Sequence, residues 1–316
     1  MPNIAILDDY TNAALSSADW GLLPEGYSIT VFNDHLSEPL ALIERLKGFD
    51  VICAMRERAP FPAQIFESLP KLKLFITTGM RNASVDISAA NKKGVMVCGT
   101  SGSGMSTPEH TWALLQACAR NIPHDAAMMK LGKWQTKIGV ELYGRTLGLL
   151  GLGRIGGRVA EYAKVFGMNI VAWSPNLTQD RCNEFGAKLV SKEELFGQAD
   201  FLSIHLVLGA RSHKLVSENE LKLMKPSSFL INTSRGSIVD EKALINALKQ
   251  GKISGAGIDV YNNEPLPIDD EYRKLDNIIL TPHTGYFTEE SYKIFHQQTV
   301  ENIIAWHNDS PLRQLT

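Results

Sequence analysis

The sequence predicts an α/β protein built from two doubly wound, parallel-sheet domains, and three observations carry that expectation. Short β-rich runs alternate with helical stretches almost from end to end, which implies βαβ units and parallel sheets with helices on their faces. The alternation comes in two series, separated by the stretch 99–107 (Gly-Thr-Ser-Gly-Ser-Gly-Met-Ser-Thr). The length of 316 residues suits about two domains.

In the first series, strands are expected at 3–7, 28–32, 50–55, 72–77 and 95–98, with helices at 39–48, 62–69 and 86–93. Residues 99–107 read as loop or hinge. Pro108 then suits a first helical turn, and Ser106-x-x-Glu109 has capping-box spacing. The helix should run through Arg120, with Trp112, Leu114, Leu115 and Cys118 apolar, and continue less regularly to about 134. The second series places strands at 146–150, 169–173, 201–206, 228–233, 256–260 and 277–280. A last long helix spans 288–308, and its periodicity does not say which domain it packs on.

Composition excludes several function classes. Lys and Arg total 32 against 34 Asp and Glu, a net charge of −2, so the cationic surplus of a non-specific nucleic-acid binder is missing. Cys53, Cys98, Cys118 and Cys182 form no C-x-x-C pair and read as buried, reduced thiols. The histidines have no metal-ligand spacing, and no metal is expected. The N-terminus does not read as a signal peptide, and no run approaches a membrane span. Cytoplasm is therefore the default location, with neither membrane nor nucleic acid as partner.

Chemistry enters at Leu147-Gly-Leu-Leu-Gly-Leu-Gly-Arg-Ile-Gly, which runs from a strand into a helix. Gly151, Gly153 and Gly156 make G-x-G-x-x-G, with Arg154 and Ile155 inside it. The first glycine permits a tight turn, the second lets a pyrophosphate approach the backbone, and the third lets helix and strand pack closely. The helix N-terminus adds N–H groups and a dipole that favour an anion. A dinucleotide is the expected ligand. The strand 169–173 lacks the acid that would bind the ribose of NAD, offering Ser174-Pro175-Asn176 instead. NAD and NADP both stay open, with Arg154 and Arg181 as candidates for a 2′-phosphate.

Three further strand ends carry polar residues: Ile231-Asn-Thr-Ser-Arg-Gly-Ser, Gly257-Ile-Asp-Val-Tyr-Asn-Asn-Glu-Pro and Thr281-Pro-His-Thr-Gly. Ligands bind at the carboxyl ends of strands in open α/β sheets, so Arg235, Glu264 and His283 should converge near the cofactor. Each alone has a bland reading as a turn or surface residue; their joint occurrence favours a site. His205 reads as structural, with cofactor contact as the secondary reading, and Arg56 and Arg58 read as solvated, with a place facing a cleft after their strand as the secondary reading.

Through these motifs the sequence resembles the D-isomer-specific 2-hydroxyacid dehydrogenases, a family that includes phosphoglycerate dehydrogenases and glyoxylate/hydroxypyruvate reductases. The resemblance covers the hinge region, the glycine cradle and all three polar segments in family order. It implies a flavodoxin-like substrate domain (1–99 plus 286–316) and a Rossmann-type NAD(P) domain (100–285), with a cleft that closes about hinges at 99–107 and 284–288. It implies that Arg235 grips the carboxylate of a D-2-hydroxy or 2-keto acid, and that Glu264 pairs with His283, which moves the proton. The implied cofactor contacts are Gly151, Gly153, Arg154, Ile155, Gly156, Ser174, His205, Thr233, Asp259 and Gly285, with Asp259 orienting the nicotinamide amide. The loop Gly79-Met80-Arg81 is the implied substrate loop, and Arg81 departs from the family by replacing a second glycine. Three readings of Arg81 stay open: it narrows the pocket, supplies a second cation, or faces solvent. A homodimer with a contact in 112–134 is also implied, and a regulatory C-terminal domain is not expected.

The chemistry stands apart from the resemblance. Histidine can donate and accept a proton near neutral pH, a carboxylate beside it fixes the tautomer, and arginine matches a carboxylate with parallel N–H donors. The alternatives are a dinucleotide-sensing regulator of the corepressor type and a formate- or phosphite-type dehydrogenase.

Overall fold

A computed structural model describes residues 2–316. In chain order the elements are β1 (Asn3–Ile6), β2 (Ser28–Val31), α1 (Pro39–Leu46), β3 (Val51–Ala54), α2 (Ala63–Ser68), β4 (Leu74–Thr77), α3 (Ile87–Lys92) and β5 (Met96–Gly99). Then follow α4 (Ser106–Arg120), α5 (Ile122–Lys130), β6 (Thr146–Leu150), α6 (Arg154–Val165), β7 (Asn169–Trp173), α7 (Gln179–Glu184), β8 (Lys188–Leu189), α8 (Lys192–Gln198) and β9 (Phe201–Ile204). The chain finishes with α9 (Glu218–Leu223), β10 (Phe229–Asn232), α10 (Glu241–Lys249), β11 (Gly255–Ile258), β12 (Ile278–Leu280) and α11 (Glu289–His307). The chain forms two compact units, Met1–Ser103 with Phe287–Thr316, and Gly104–Tyr286.

The first unit holds a five-stranded parallel sheet in the order β2-β1-β3-β4-β5. Successive side chains of a strand point to opposite faces, and the residues sort accordingly. Ala5, Ile52 and Phe75 join Leu42, Leu46 and Phe66 on one face. Ile4, Ile6, Val51, Leu74 and Ile76 join Val300 and Ile303 of α11 on the other. With both faces buried, the strands are continuously apolar rather than alternating. The Asn302 amide donates to Gly99 O at 2.9 Å, tying α11 to the end of β5.

The second unit holds a seven-stranded parallel sheet in the order β12-β11-β10-β9-β6-β7-β8. Counted from β6 the order reverses between β6 and β9, the Rossmann arrangement, so the fold is the doubly wound one expected from the sequence. Register is tight: Leu150 pairs with Ile204, Ile204 with Asn232, Asn232 with Ile258 and Ile258 with Leu280. The loops that follow all leave from one edge of the sheet.

Several local expectations are corrected. The helix expected from 106 to about 134 breaks at Asn121, which adopts a left-handed φ of 53° before Pro123 enters the first turn of α5. The capping box at Ser106 does not form: the Glu109 N–H bonds to Met105 O at 3.1 Å, and the helix already includes Ser106. Capping boxes form instead at Ser191 with Glu194 and at Ser217 with Glu220. β8 is an additional short edge strand. All four cysteines are buried free thiols. Among the described residues, no helix is long and apolar enough to cross a membrane.

Candidate active site

The glycine cradle sits between β6 and α6, at the point where the strand order reverses and ligands of open α/β sheets bind. Gly151 has a φ of +106°, and a Cβ there would stand 2.7 Å from His205 O. At Gly156 a Cβ would stand 2.2 Å from Gly151 O. Both positions are closed to any side chain. Gly153 is the opposite case: a Cβ there would meet nothing within 4 Å, so its backbone is open to a ligand. Arg154 is exposed at the start of α6, and Ile155 packs partly into the core. The arrangement fits the pyrophosphate of a dinucleotide, anchored on backbone rather than on charge.

The neighbours of the cradle are more committed. Burial pushes the His205 imidazole down to about 3, so the ring is neutral, and its Nε2 lies 2.9 Å from Ser203 Oγ. The Thr233 hydroxyl is buried and shared with Thr111 Oγ1 at 2.7 Å. Arg181 donates from Nε to Leu152 O at 3.0 Å, pairs with Glu184, and lies over the Phe185 ring. Its Nη2 also lies 3.4 Å from Gly153 O, so the side chain is held against the cradle.

Three polar loops leave the sheet edge after β10, β11 and β12. Gly236 sets the spacing of the first two: a Cβ there would fall 2.2 Å from Tyr261 C. Ser237 Oγ donates to Asn262 Oδ1 at 2.8 Å, fastening the Arg235 loop to the loop that carries Glu264. Arg235 itself donates from Nη1 to Ser234 O at 2.7 Å. Tyr261 fastens the second loop to the third: its hydroxyl lies 2.8 Å from Thr281 O, and its N–H donates to Glu264 Oε1 at 2.8 Å.

The result is a carboxylate–imidazole pair. Glu264 Oε2 and His283 Nδ1 are 2.6 Å apart, with side chains 27% and 20% exposed. His283 adopts a φ of +53°, a region uncommon for a non-glycine residue and often found at functional sites. With Nδ1 held by the carboxylate, Nε2 is the ring atom left for a substrate.

Asp259 is built differently. It is fully buried, and its oxygens accept from Thr281 Oγ1 at 2.6 Å, Thr284 N at 2.9 Å and Gly285 N at 2.9 Å. His110 Nε2 lies 3.2 Å from Asp259 Oδ1. Burial alone would raise the Asp259 pKa, but the His110 and Thr281 hydrogen bonds, the His110 charge and the Thr284 N–H outweigh it, and the net shift is downward. Asp259 and Gly285, both expected at the cofactor, bond to each other and shape the 281–285 loop. His110, Tyr261 and Thr281 were not singled out from the sequence.

In the first unit, the Gly79 turn follows β4. Gly79 has a φ of +98° and its N–H is taken by Thr100 Oγ1 at 3.0 Å. The amides next in line are those of Met80 and Arg81, whose side chains are exposed. A Cβ at Gly79 would stand 2.3 Å from Arg56 Nη1, so the Arg56 guanidinium lies against the turn, and Arg58 donates from Nη1 to Asp8 O at 2.6 Å. Neither arginine is the solvated side chain expected from the sequence.

Comparison with known proteins decides the family. A profile of the D-isomer specific 2-hydroxyacid dehydrogenase NAD binding domain matches residues 112–285. The chain belongs to that family. Among relatives of these dehydrogenases, a glyoxylate reductase of Korarchaeum cryptofilum is 37% identical over 272 residues, covering 84% of this chain and 82% of the relative. A D-3-phosphoglycerate dehydrogenase of Methanocaldococcus jannaschii is 40% identical over 256 residues, covering 80% of this chain, but the match spans only 48% of that longer protein. The crystal structure of a phosphoglycerate oxidoreductase from Vibrio cholerae superposes with a TM-score of 0.93 at 36% identity, covering 98% of this chain and all of that one. The 2-hydroxyacid dehydrogenase family thus accounts for both parallel sheets and for the motifs on the second.

Proposed function

We propose that this chain is an NAD(P)-dependent dehydrogenase that interconverts D-2-hydroxy acids and 2-keto acids, with residues 104–286 as the coenzyme-binding unit. The single observation that carries the reading is the 2.6 Å pair of Glu264 and His283, set at the same sheet edge as the glycine cradle. A bound nicotinamide coenzyme supplies or accepts the hydride. His283 Nε2 gives a proton to the carbonyl oxygen during reduction and takes one from the hydroxyl during oxidation. Glu264 holds Nδ1 and balances the charge when the ring carries both protons. Arg235 binds the substrate carboxylate through its planar fork of donors. The exposed Met80 and Arg81 of the first unit are the residues proposed to set substrate selectivity.

Asp259 acts by holding Thr284 and Gly285, which positions His283 from one side as Tyr261 does from the other. Residues 122–138 support a homodimer: α5 buries none of its residues, and Ile122, Met129, Leu131, Trp134 and Ile138 are exposed. Sedimentation at micromolar concentration tests that association, and a monomer removes it.

The decisive experiment is a panel of 2-keto acids, including glyoxylate, hydroxypyruvate and a phosphorylated analogue, assayed with NADH and NADPH. Coenzyme oxidation with at least one acid is expected, yielding the D-hydroxy product. No turnover with any member, in a protein that binds coenzyme, removes the dehydrogenase reading and leaves a sensor. Arg81→Ala in the same panel separates its roles: a loss confined to the phosphorylated acid marks a second cation, and equal losses exclude it.

A further inference from the structure

We infer that this chain selects NADP(H) over NAD(H), and that Arg211 is the residue that selects. The inference rests on the coenzyme reading above and names a determinant absent from the cradle itself. β7 ends in Trp173-Ser174-Pro175-Asn176. NAD-specific Rossmann sites keep a carboxylate at this strand end to accept from the ribose hydroxyl, and that carboxylate repels a 2′-phosphate. Here nothing repels it.

Facing this strand end is the loop after β9, and the two enclose a cavity of about 400 Å³ lined by Ser174, Pro175, Asn176 and residues 206–212. Val207 and Leu208 are among its lining residues and are 77% and 39% exposed, apolar surface suited to an aromatic base. Arg211 is the one charged residue among those that line the cavity. Its Nη1 lies 3.4 Å from Asn176 Oδ1, so the guanidinium reaches from the loop to the segment that follows the end of β7. That contact is long for a hydrogen bond, and a phosphate oxygen offers a stronger, charge-assisted one.

The loop that carries Arg211 is pre-formed. Ser212 is buried, its Oγ donates to Val207 O at 2.7 Å, and it accepts from Gly209 N at 2.9 Å. Arg181, the other candidate near this end, is held by Leu152 O, Glu184 and the Phe185 ring. A cation for a 2′-phosphate thus stands on the loop after β9, in the cavity that the end of β7 lines, whereas Arg154 stands at the glycine cradle at the start of α6.

Titration calorimetry of the whole protein with NADPH, NADH, 2′,5′-ADP and 5′-AMP tests this without turnover. The phosphorylated member of each pair should bind roughly 10- to 100-fold tighter, the span of one charge-assisted contact, and the gap should shrink at high salt. Arg211→Ala should abolish the gap by weakening the 2′-phosphorylated members far more than the others, and Arg211→Lys should keep part of it. Ser174→Asp, which restores a carboxylate at the end of β7, should turn the preference toward NADH. Equal or tighter binding of NADH by the unaltered protein overturns the inference, as does a gap that survives in Arg211→Ala. Failure to bind any of the four overturns the coenzyme reading itself, a result distinct from NADH binding without phosphate preference.

Discussion

Asp259 and Glu264 lie five positions apart on the loop after β11, yet they live in opposite surroundings. Asp259 is fully buried and saturated by donors from Thr281, Thr284, Gly285 and His110. Glu264 is partly open, with one oxygen on a backbone N–H and the other on His283. Two carboxylates on one loop are thus placed differently: one organises the backbone, and the other, in the proposed mechanism, serves the imidazole. Exposure and the kind of donor, rather than residue type, separate a structural acid from a functional one.

The largest effect expected on the functional side is at its partner. His283→Ala should lower kcat by on the order of 10²–10⁴ while leaving the melting temperature nearly unchanged; turnover like that of the unaltered protein would take His283 out of the mechanism. On the structural side, Asp259→Ala strands several buried donors and should cost about 2–4 kcal/mol of stability in urea denaturation. Glu264→Ala should cost much less stability and far more activity. Equal destabilisation by the two substitutions would erase the distinction between them. Arg235→Ala should weaken carboxylate binding by about 1.5–3 kcal/mol, seen as a raised KM for 2-keto acids and no change in coenzyme affinity.

The smallest effect is in pH, and its sign differs between group types. The folded-state pKa of Asp259 is lowered, so its contribution to stability is present above the usual carboxylate value of 3.8 and is lost as pH falls through the folded value. His296 in the first unit is pushed down from 6.5 to about 4 by burial. The unfolded chain then takes up the proton first, and stability declines as pH falls from 6.5 towards 4. Denaturation at pH 7 and pH 5 should show this loss, and His296→Gln should flatten it; an unchanged slope in the variant assigns the acid sensitivity elsewhere.

Much of this was legible in the sequence. Apolar runs such as Val51-Ile-Cys-Ala and the G-x-G-x-x-G turn announce buried parallel strands and a phosphate cradle through local chemistry alone. Arg235, Glu264 and His283 stood out because polar residues at strand ends are unusual together. His110 did not, because its partner Asp259 lies on another element and no local spacing links them. Arg211 was hidden for the same reason: its place at the end of β7 arises from the strand order, which sets the loop after β9 across the switch from β7. The Ser191 and Ser217 capping boxes were readable from spacing, whereas the one at Ser106 failed because the backbone N–H it needed was already taken by Met105 O.

The left-handed backbone of His283 has a consequence for engineering. The imidazole reaches its glutamate from a main-chain conformation that most residues avoid, held there by a neighbouring buried aspartate and a tyrosine. A designer who transplants only the acid–imidazole couple onto an ordinary turn would reproduce the side chains and lose their alignment. The transferable unit is the whole braced corner, the imidazole together with the Asp259 and Tyr261 that fasten its neighbours.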